Sequence, residues 1–295
     1  MMKNITYSLI GLAMVLLASC STIEDRDSMG ALATKDQVNL TVVNTTTTHS
    51  GKKGNQIVVT NVSTQYAGQW NLLVRRSNKT VDTVILPFLG KVTLPFIATS
   101  DGGLVRDSIV VQIDTLDHPV DPAFSLLAGT TSAGKTWVWA TDIPGNHFYG
   151  NGGYQNDLLA AWWTPTTTDL SGWGDLNDQM TFNLNGAANF ILVTGNTENN
   201  GMYPAGTHAG SFSFDMTKGK TKSDGTVWSI GTLTITGSTV SRGISPNEGT
   251  STGRPIIHTF DILKLNNNEL VLCYNTPGGG EGWYWAFKRQ GYTYP

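Results

Sequence analysis

"FDILKLNNNELVLCYNTPGGGEGWYWAFK", residues 260–288, decides how the second half of the chain is read. Three runs, "FDILKL", "ELVLCYN" and "GWYWAFK", are rich in branched and aromatic residues, with an asparagine cluster and a glycine cluster between them. Runs of this kind bounded by turn residues are strands. In the last run Trp283 and Trp285 share one face while Tyr284 and Ala286 share the other, because successive side chains on a strand point to opposite sides. If the strand covers one core, one face must look outward. Trp283, beside "GGGEG", is expected to be the more exposed of the pair. Cys273 lies in the middle run and reads as a small buried hydrophobe, not a nucleophile.

The same pattern extends backwards through "VWSIGTLTIT" (227–236), "GSFSFDM" (210–216), "NFILVTG" (189–195), "QMTFNLNG" (179–186) and "KTWVWAT" (135–141). With "PIIHTFDILKL" these make about eight strands between Ala123 and Pro295, which predicts a jelly-roll-like β-sandwich. "DLLAAWW" (157–163) is the only candidate turn of helix. Earlier, "QVNLTVVN", "NQIVVTNV", "QWNLLVRR", "TVDTVILPF", "KVTLPFIAT" and "LVRDSIVVQI" fill residues 37–116. Short strands at this spacing predict a small immunoglobulin-like sandwich. "LDHPVDP" (116–122) marks the boundary, and its two prolines favour a stiff extended linker over 117–122. The chain is therefore read as all-β, with a spacer domain at 37–116 and a larger sandwich domain at 123–295.

At the N-terminus Lys3 precedes the apolar run "YSLIGLAMVLLA". The run is shorter than the roughly 20 residues of a membrane span and reads as the core of a signal peptide, residues 1–19. "LASC" (17–20) resembles a bacterial lipobox, which implies lipidation of Cys20 and a flexible tether over residues 20–36. Acyl chains would then hold the protein on a membrane without a spanning helix. Only 14% of residues are charged and the net charge is −3. Phosphate-backbone binding needs concentrated Lys and Arg, so nucleic acid is not an expected partner.

Familiar catalytic motifs are missing: no nucleophile elbow, zinc-binding helix or phosphate loop occurs. His147, His208 and His258 lack metal-ligand spacing. Asp157, Asp175, Asp178, Glu198, Glu248 and Glu281 could serve a glycosidase, but none sits in a recognisable catalytic strand motif. No cofactor is expected. The Asp and Asn residues of "SGWGDLNDQ" offer a structural calcium site or, preferably, a turn tied by aspartate side chains.

Tryptophan is the informative residue. The chain has nine, and all but Trp70 lie between Ala123 and Pro295. Trp70, Trp137, Trp139 and Trp228 read as core. The adjacent Trp162 and Trp163 cannot both enter one core, so both are candidates for the site, with Trp162 taken as the anchor and Trp163 as the outward ring. Trp173, Trp283 and Trp285 fit either core or site, and Tyr149 and His147, in "GNHFYGNGGY", fit either an anchored turn or a wall of the site. A flat indole covers the C–H face of a sugar with little rotamer freedom to lose, while short polar residues such as Asp157 and Glu281 can bond the hydroxyls. On this reading Trp163→Ala or Trp283→Ala weakens binding and leaves stability intact.

The order "KTWVWAT", "GNHFYGNGG", "AAWWTP", "DLNDQMTFNLNG", "FDILKLNNNELVLCYN", "GWYWAFK" resembles that of surface glycan-binding lipoproteins of Bacteroidota polysaccharide-utilisation systems. Acidic Glu24 and Asp25 soon after Cys20 resemble their surface-export signal, and residues 37–116 resemble a PKD-like domain, with "GQWNLLVRR" in place of its usual tryptophan-aspartate-glycine signature. The resemblance implies capture of an extracellular polysaccharide, a β-glucan by analogy with the group, without cleavage. It also implies a lipid-anchored, outward-facing place on the outer membrane beside a transporter complex. Two other readings stand beside it: a hydrolase of unfamiliar type, and an adhesin or structural lipoprotein without a sugar site.

Overall fold

The computed structural model describes residues 30–45, 51–198, 200, 202–249 and 253–295. The signal peptide, Cys20 and residues 20–29 of the expected tether lie outside the described residues. The described chain is all-β in character, with two seven-residue α-helices.

The first unit contains β1 (Leu40–Asn44), β2 (Gln56–Asn61), β3 (Ala67–Asn71), β4 (Arg76–Ser77), β5 (Val81–Ile85), β6 (Gly90–Ser100) and β7 (Gly103–Ile113). They form a three-stranded sheet, β1-β2-β5, and a four-stranded sheet, β4-β3-β6-β7. Alternation does the work expected of it: Ile57 and Val59 from one sheet and Trp70, Leu94 and Phe96 from the other are buried in a common core. "QWNLLVRR" is two strands, not one. Leu73 N–H donates to Asn71 Oδ1 at 3.1 Å and Leu73 turns to φ 66°, which stops β3. Ordered contact also begins before Gln37: Ala33 is buried in this core and its N–H donates to Ser100 Oγ.

The second unit contains β8 (Lys135–Trp139), β9 (Tyr149–Gly153), β10 (Gln179–Asn183), β11 (Asn189–Thr194), β12 (Gly206–Asp215) and β13 (Lys220–Thr221). After these come β14 (Val227–Ser229), β15 (Gly231–Thr236), β16 (Thr259–Leu265), β17 (Glu269–Asn275) and β18 (Glu281–Arg289). Two packed sheets are expected from the sequence; the main strands instead form one antiparallel sheet in the order β17-β16-β15-β12-β11-β10-β8-β18. It closes because β18 pairs on both edges, Leu272↔Trp285 with β17 and Phe287↔Trp139 with β8. Closure of these eight strands removes the exposed edges an open sheet would leave. Trp137, Trp139, Phe182, Phe190, Phe260 and Trp285 are all buried.

Strand β18 has no outward face. Trp283 and Trp285 join the main core, and Tyr284 is buried in a second cluster with Ala160, Cys273 and Trp228. The hairpin β13–β14 and the chain after β9 provide this cover: Trp228 Nε1 donates to Asp157 O at 2.7 Å and Lys222 Nζ to Asn156 O at 2.8 Å. "DLLAAWW" is not helical. The helices are Pro122–Ala128, capped by Asp121, and Thr167–Trp173, capped by a reciprocal Thr166–Asp169 pair.

Antiparallel connectivity places alternate connections on the same rim. The β9–β10, β11–β12, β15–β16 and β17–β18 connections share one rim; the tight β10–β11 and β16–β17 turns lie on the other. The first unit is fastened to that second rim: Leu89 N–H donates to Leu184 O at 3.0 Å, and Gly186 N–H to Leu89 O at 2.7 Å. The start of the linker is fastened too. Asn55 Nδ2 donates to Leu86 O and His118 O, and His118 N–H donates to Asn55 Oδ1.

Candidate functional site: an aromatic cleft at the barrel rim

A cleft of about 440 Å³ opens among the long connections. Barrel mouths are common ligand sites, and this volume falls within the ~300–1,000 Å³ of small-molecule pockets. Tyr149 and Trp283 form its inner wall, Trp163 its outer wall, and Trp173 faces them with Glu198, Arg242 and Arg254. A larger cavity, about 550 Å³, lies in the first unit, but its lining contains no tryptophan and no carboxylate.

The aromatic wall is built by a strand the sequence hides. Strand β9, "YGNGG", pairs with β18 so that Asn151 lies opposite Trp283 and Tyr149 opposite Trp285. Asn151 N–H donates to Trp163 O at 3.1 Å, while Ala161 and Trp162 N–H both donate to Asn151 O at 2.9 Å. These bonds lay the double tryptophan along β9. A side chain on Gly150, at φ 136°, would overlap the Trp163 carbonyl, so the close approach requires glycine. Trp163 remains 47% exposed, its ring centroid 5.9 Å from that of Trp283 and 6.4 Å from that of Tyr149.

The arginines of the charged wall come from the β15–β16 connection, and Glu198 comes from the β11–β12 connection. Residues Ser238 to Ser245 are buried without regular structure, tied by Thr239 Oγ1 donating to Ile257 O and Ser241 Oγ donating to Asp178 Oδ2, both at 2.5 Å. Arg242, at φ 52°, is held inside it. Its Nη1 donates to Asp175 at 2.5 Å and to Glu198 at 2.9 Å, and its guanidinium lies 3.9 Å from the Trp173 ring centroid. Burial pushes the Asp175 carboxyl up to about 6, although the Arg242 charge opposes this. Burial likewise raises Asp178, against the bonds from Ser241 and Gly195.

The expected site residues divide cleanly. Trp163, Trp173, Trp283 and Tyr149 converge on the cleft. Trp285 is fully buried beneath it, its Nε1 donating to Arg242 O. Glu281 acts from behind, accepting from Asn151 Nδ2 at 2.6 Å and from Asn247 Nδ2. His147 and Asp157 are not in the lining; Asp157 Oδ2 instead accepts the Gly153 N–H at 2.6 Å. One expectation is overturned: Trp162 is 62% exposed, is not in the cleft lining and anchors nothing, since the backbone bonds to β9 hold that segment. Trp283 is the more exposed of its pair with Trp285, as expected, yet only 8% exposed, because Tyr149 and Trp163 pack on it.

Asn151, Arg242, Asn247 and Arg254 are cleft residues that motif reading missed, and Glu198 was visible only as one of six scattered acids. The one available signal was Arg242 itself, the sole charge in "GSTVSRGISPN", which had no local partner to announce burial. Asp175 and Asp178, offered as oxygen ligands for calcium, are engaged by Arg242, Ser241 and Gly195. Among the described residues no group of three potential metal ligands comes together. Cys273 is buried and its thiol is pushed well above the usual range by that burial. No protein-family model matches the chain, and no characterised protein matches it.

Proposed function

We propose that this protein binds an extracellular polysaccharide without cleaving it, as a lipid-anchored surface protein that hands the glycan to an uptake system. The observation that carries the reading is the convergence of Trp163, Trp173, Trp283 and Tyr149 on one cleft, edged by Asn151, Asn247 and Glu198. Aromatic rings supply apolar contact for sugar C–H faces, and amide and carboxylate groups supply the donors and acceptors that hydroxyls need. The first unit fits the role of an immunoglobulin- or PKD-like spacer, because it is fastened to the rim opposite the cleft. A β-glucan is the first ligand to try.

A hydrolase is the second reading, and the carboxylates speak against it. Glycosidases flank the scissile bond with two acids. Glu198 lines the cleft, but its neighbour Asp175 is fully buried behind Arg242. Native affinity electrophoresis across a polysaccharide panel, with reducing-sugar release assayed in parallel, separates the readings. Retardation without release is expected. Absence of retardation by every glycan sinks the binding reading, and released sugar sinks the non-catalytic one.

A further inference from the structure

The aromatic rings of the cleft form a corner and not a platform. The Tyr149, Trp163 and Trp283 centroids lie 5.6–6.4 Å apart, and the ring planes are inclined to one another by 44° to 76°. Successive sugars of an extended chain would need stacking surfaces separated by the length of a sugar residue and arranged along the chain. Rings packed on one another in this way offer one contact patch, exposed mainly at Trp163, and that patch suits one sugar. The facing wall narrows the choice further. One side of the Trp173 ring carries the Arg242 guanidinium at 3.9 Å, so that indole cannot offer both faces to a passing chain. Glu198 and Arg254 add an acceptor and donors on this side. Asn247 adds an amide whose Nδ2 is already held by Glu281. The cavity, at about 440 Å³, is near the lower end of the ~300–1,000 Å³ range for small-molecule pockets.

We propose that the cleft recognises a single terminal or side-branch sugar of the polysaccharide, held on several sides, and not a run of internal residues. This rests on the glycan-binding reading above. Its chemical basis is the extra free hydroxyl of a chain-end or branch sugar: a site built to hydrogen-bond a hydroxyl discriminates sharply against a unit in which that hydroxyl is glycosylated.

The test is calorimetric titration of the full chain with oligosaccharides of increasing length, prepared by partial hydrolysis of laminarin, mixed-linkage glucan and each other panel polysaccharide. A parallel series carries a methyl group on the terminal sugar hydroxyls. The expected result is affinity that levels off by the trisaccharide, and a loss of about tenfold or more on terminal methylation, ~1.4 kcal/mol. Trp163→Ala, an exposed position, should weaken every member of the unmethylated series together. Affinity that keeps climbing by about tenfold or more from trisaccharide to longer chains, with methylated ends still bound, overturns the chain-end proposal and leaves glycan binding standing. If no saccharide of any length binds, both fall.

Discussion

At the scale of single residues, exposure separates binding from stability among the tryptophans. Trp163 is half-exposed and touches Tyr149 and Trp283 with its ring. Trp163→Ala should lower glycan affinity by about tenfold or more, as loss of an aromatic hot spot does, with little change in melting temperature. Trp162→Ala, one position away and outside the cleft, should change neither. Trp283→Ala is a different experiment from the one the sequence suggests: the ring is nearly buried, and truncation should cost ~3–5 kcal/mol of stability. Affinity electrophoresis and thermal melts on the three variants distinguish these outcomes. The sequence made the pair legible as a contradiction in packing, but alternation could not say which indole lined the cleft. The answer depends on bonds to Asn151, and those belong to a strand without a strand-like sequence.

Asp175 gives a second residue-scale prediction, in pH. Its carboxyl is raised by burial to about 6, against about 3.9 for an exposed aspartate. Between these values the folded chain holds a proton that the unfolded chain releases, so this group's contribution makes stability fall as pH rises through that window. Asp175→Asn removes the titration and keeps an oxygen for Arg242. The melting temperature of the variant relative to the parent should therefore climb as pH is raised from about 4 to about 6. A difference that stays flat over that range would mean that Asp175 titrates normally in the folded state.

At the scale of elements, β9 and the helix Thr167–Trp173 set the cleft, and neither was anticipated. Strand β9 is "YGNGG"; glycine is depleted in strands, so the sequence gives a loop signal. The glycines are there because Trp163 O, Asp157 and Tyr284 approach where side chains would stand. The helix is too short to show a period, yet its Thr166–Asp169 capping pair and Gly174 at φ 85° fix both ends and so aim Trp173. By contrast β17 and β18, long and strongly patterned, are legible at once, and so is the core role of Trp137 and Trp139. Gly150→Ala tests the element directly. The added methyl would overlap the Trp163 carbonyl and push the tryptophan segment off β9, although Gly150 is not in the cleft lining. Glycan affinity should drop about as far as in Trp163→Ala, ~1.4 kcal/mol or more, while the far-ultraviolet spectrum remains that of a folded β protein. Unchanged affinity would mean that the Asn151–Trp163 bridge does not position the site.

At the scale of the whole molecule, the arrangement of connections matters more than the identity of any motif. All-β character and a change of unit near residue 120 follow from strand lengths and prolines. Closure of the second sheet does not, because it requires β18 to find partners on both edges, and that long-range pairing leaves no local trace. The linker is not the only tie between the two units. The first unit also bonds the β10–β11 turn through Leu89, and Asn55 grips the linker at His118. Because the turn and the cleft lie on opposite rims, this fastening directs the cleft away from the first unit. Asn55 is fully buried and makes three side-chain hydrogen bonds across the start of the linker. Asn55→Ala leaves the Leu86 and His118 carbonyls and the His118 N–H without that partner, at a cost of ~1–3 kcal/mol for buried groups left unmet. The loss should appear as a lower melting temperature and, in small-angle scattering, as a broader distribution of inter-unit distances, with affinity for a soluble oligosaccharide unchanged. Scattering identical to that of the parent would show that the Leu89 bonds alone hold the two units in line.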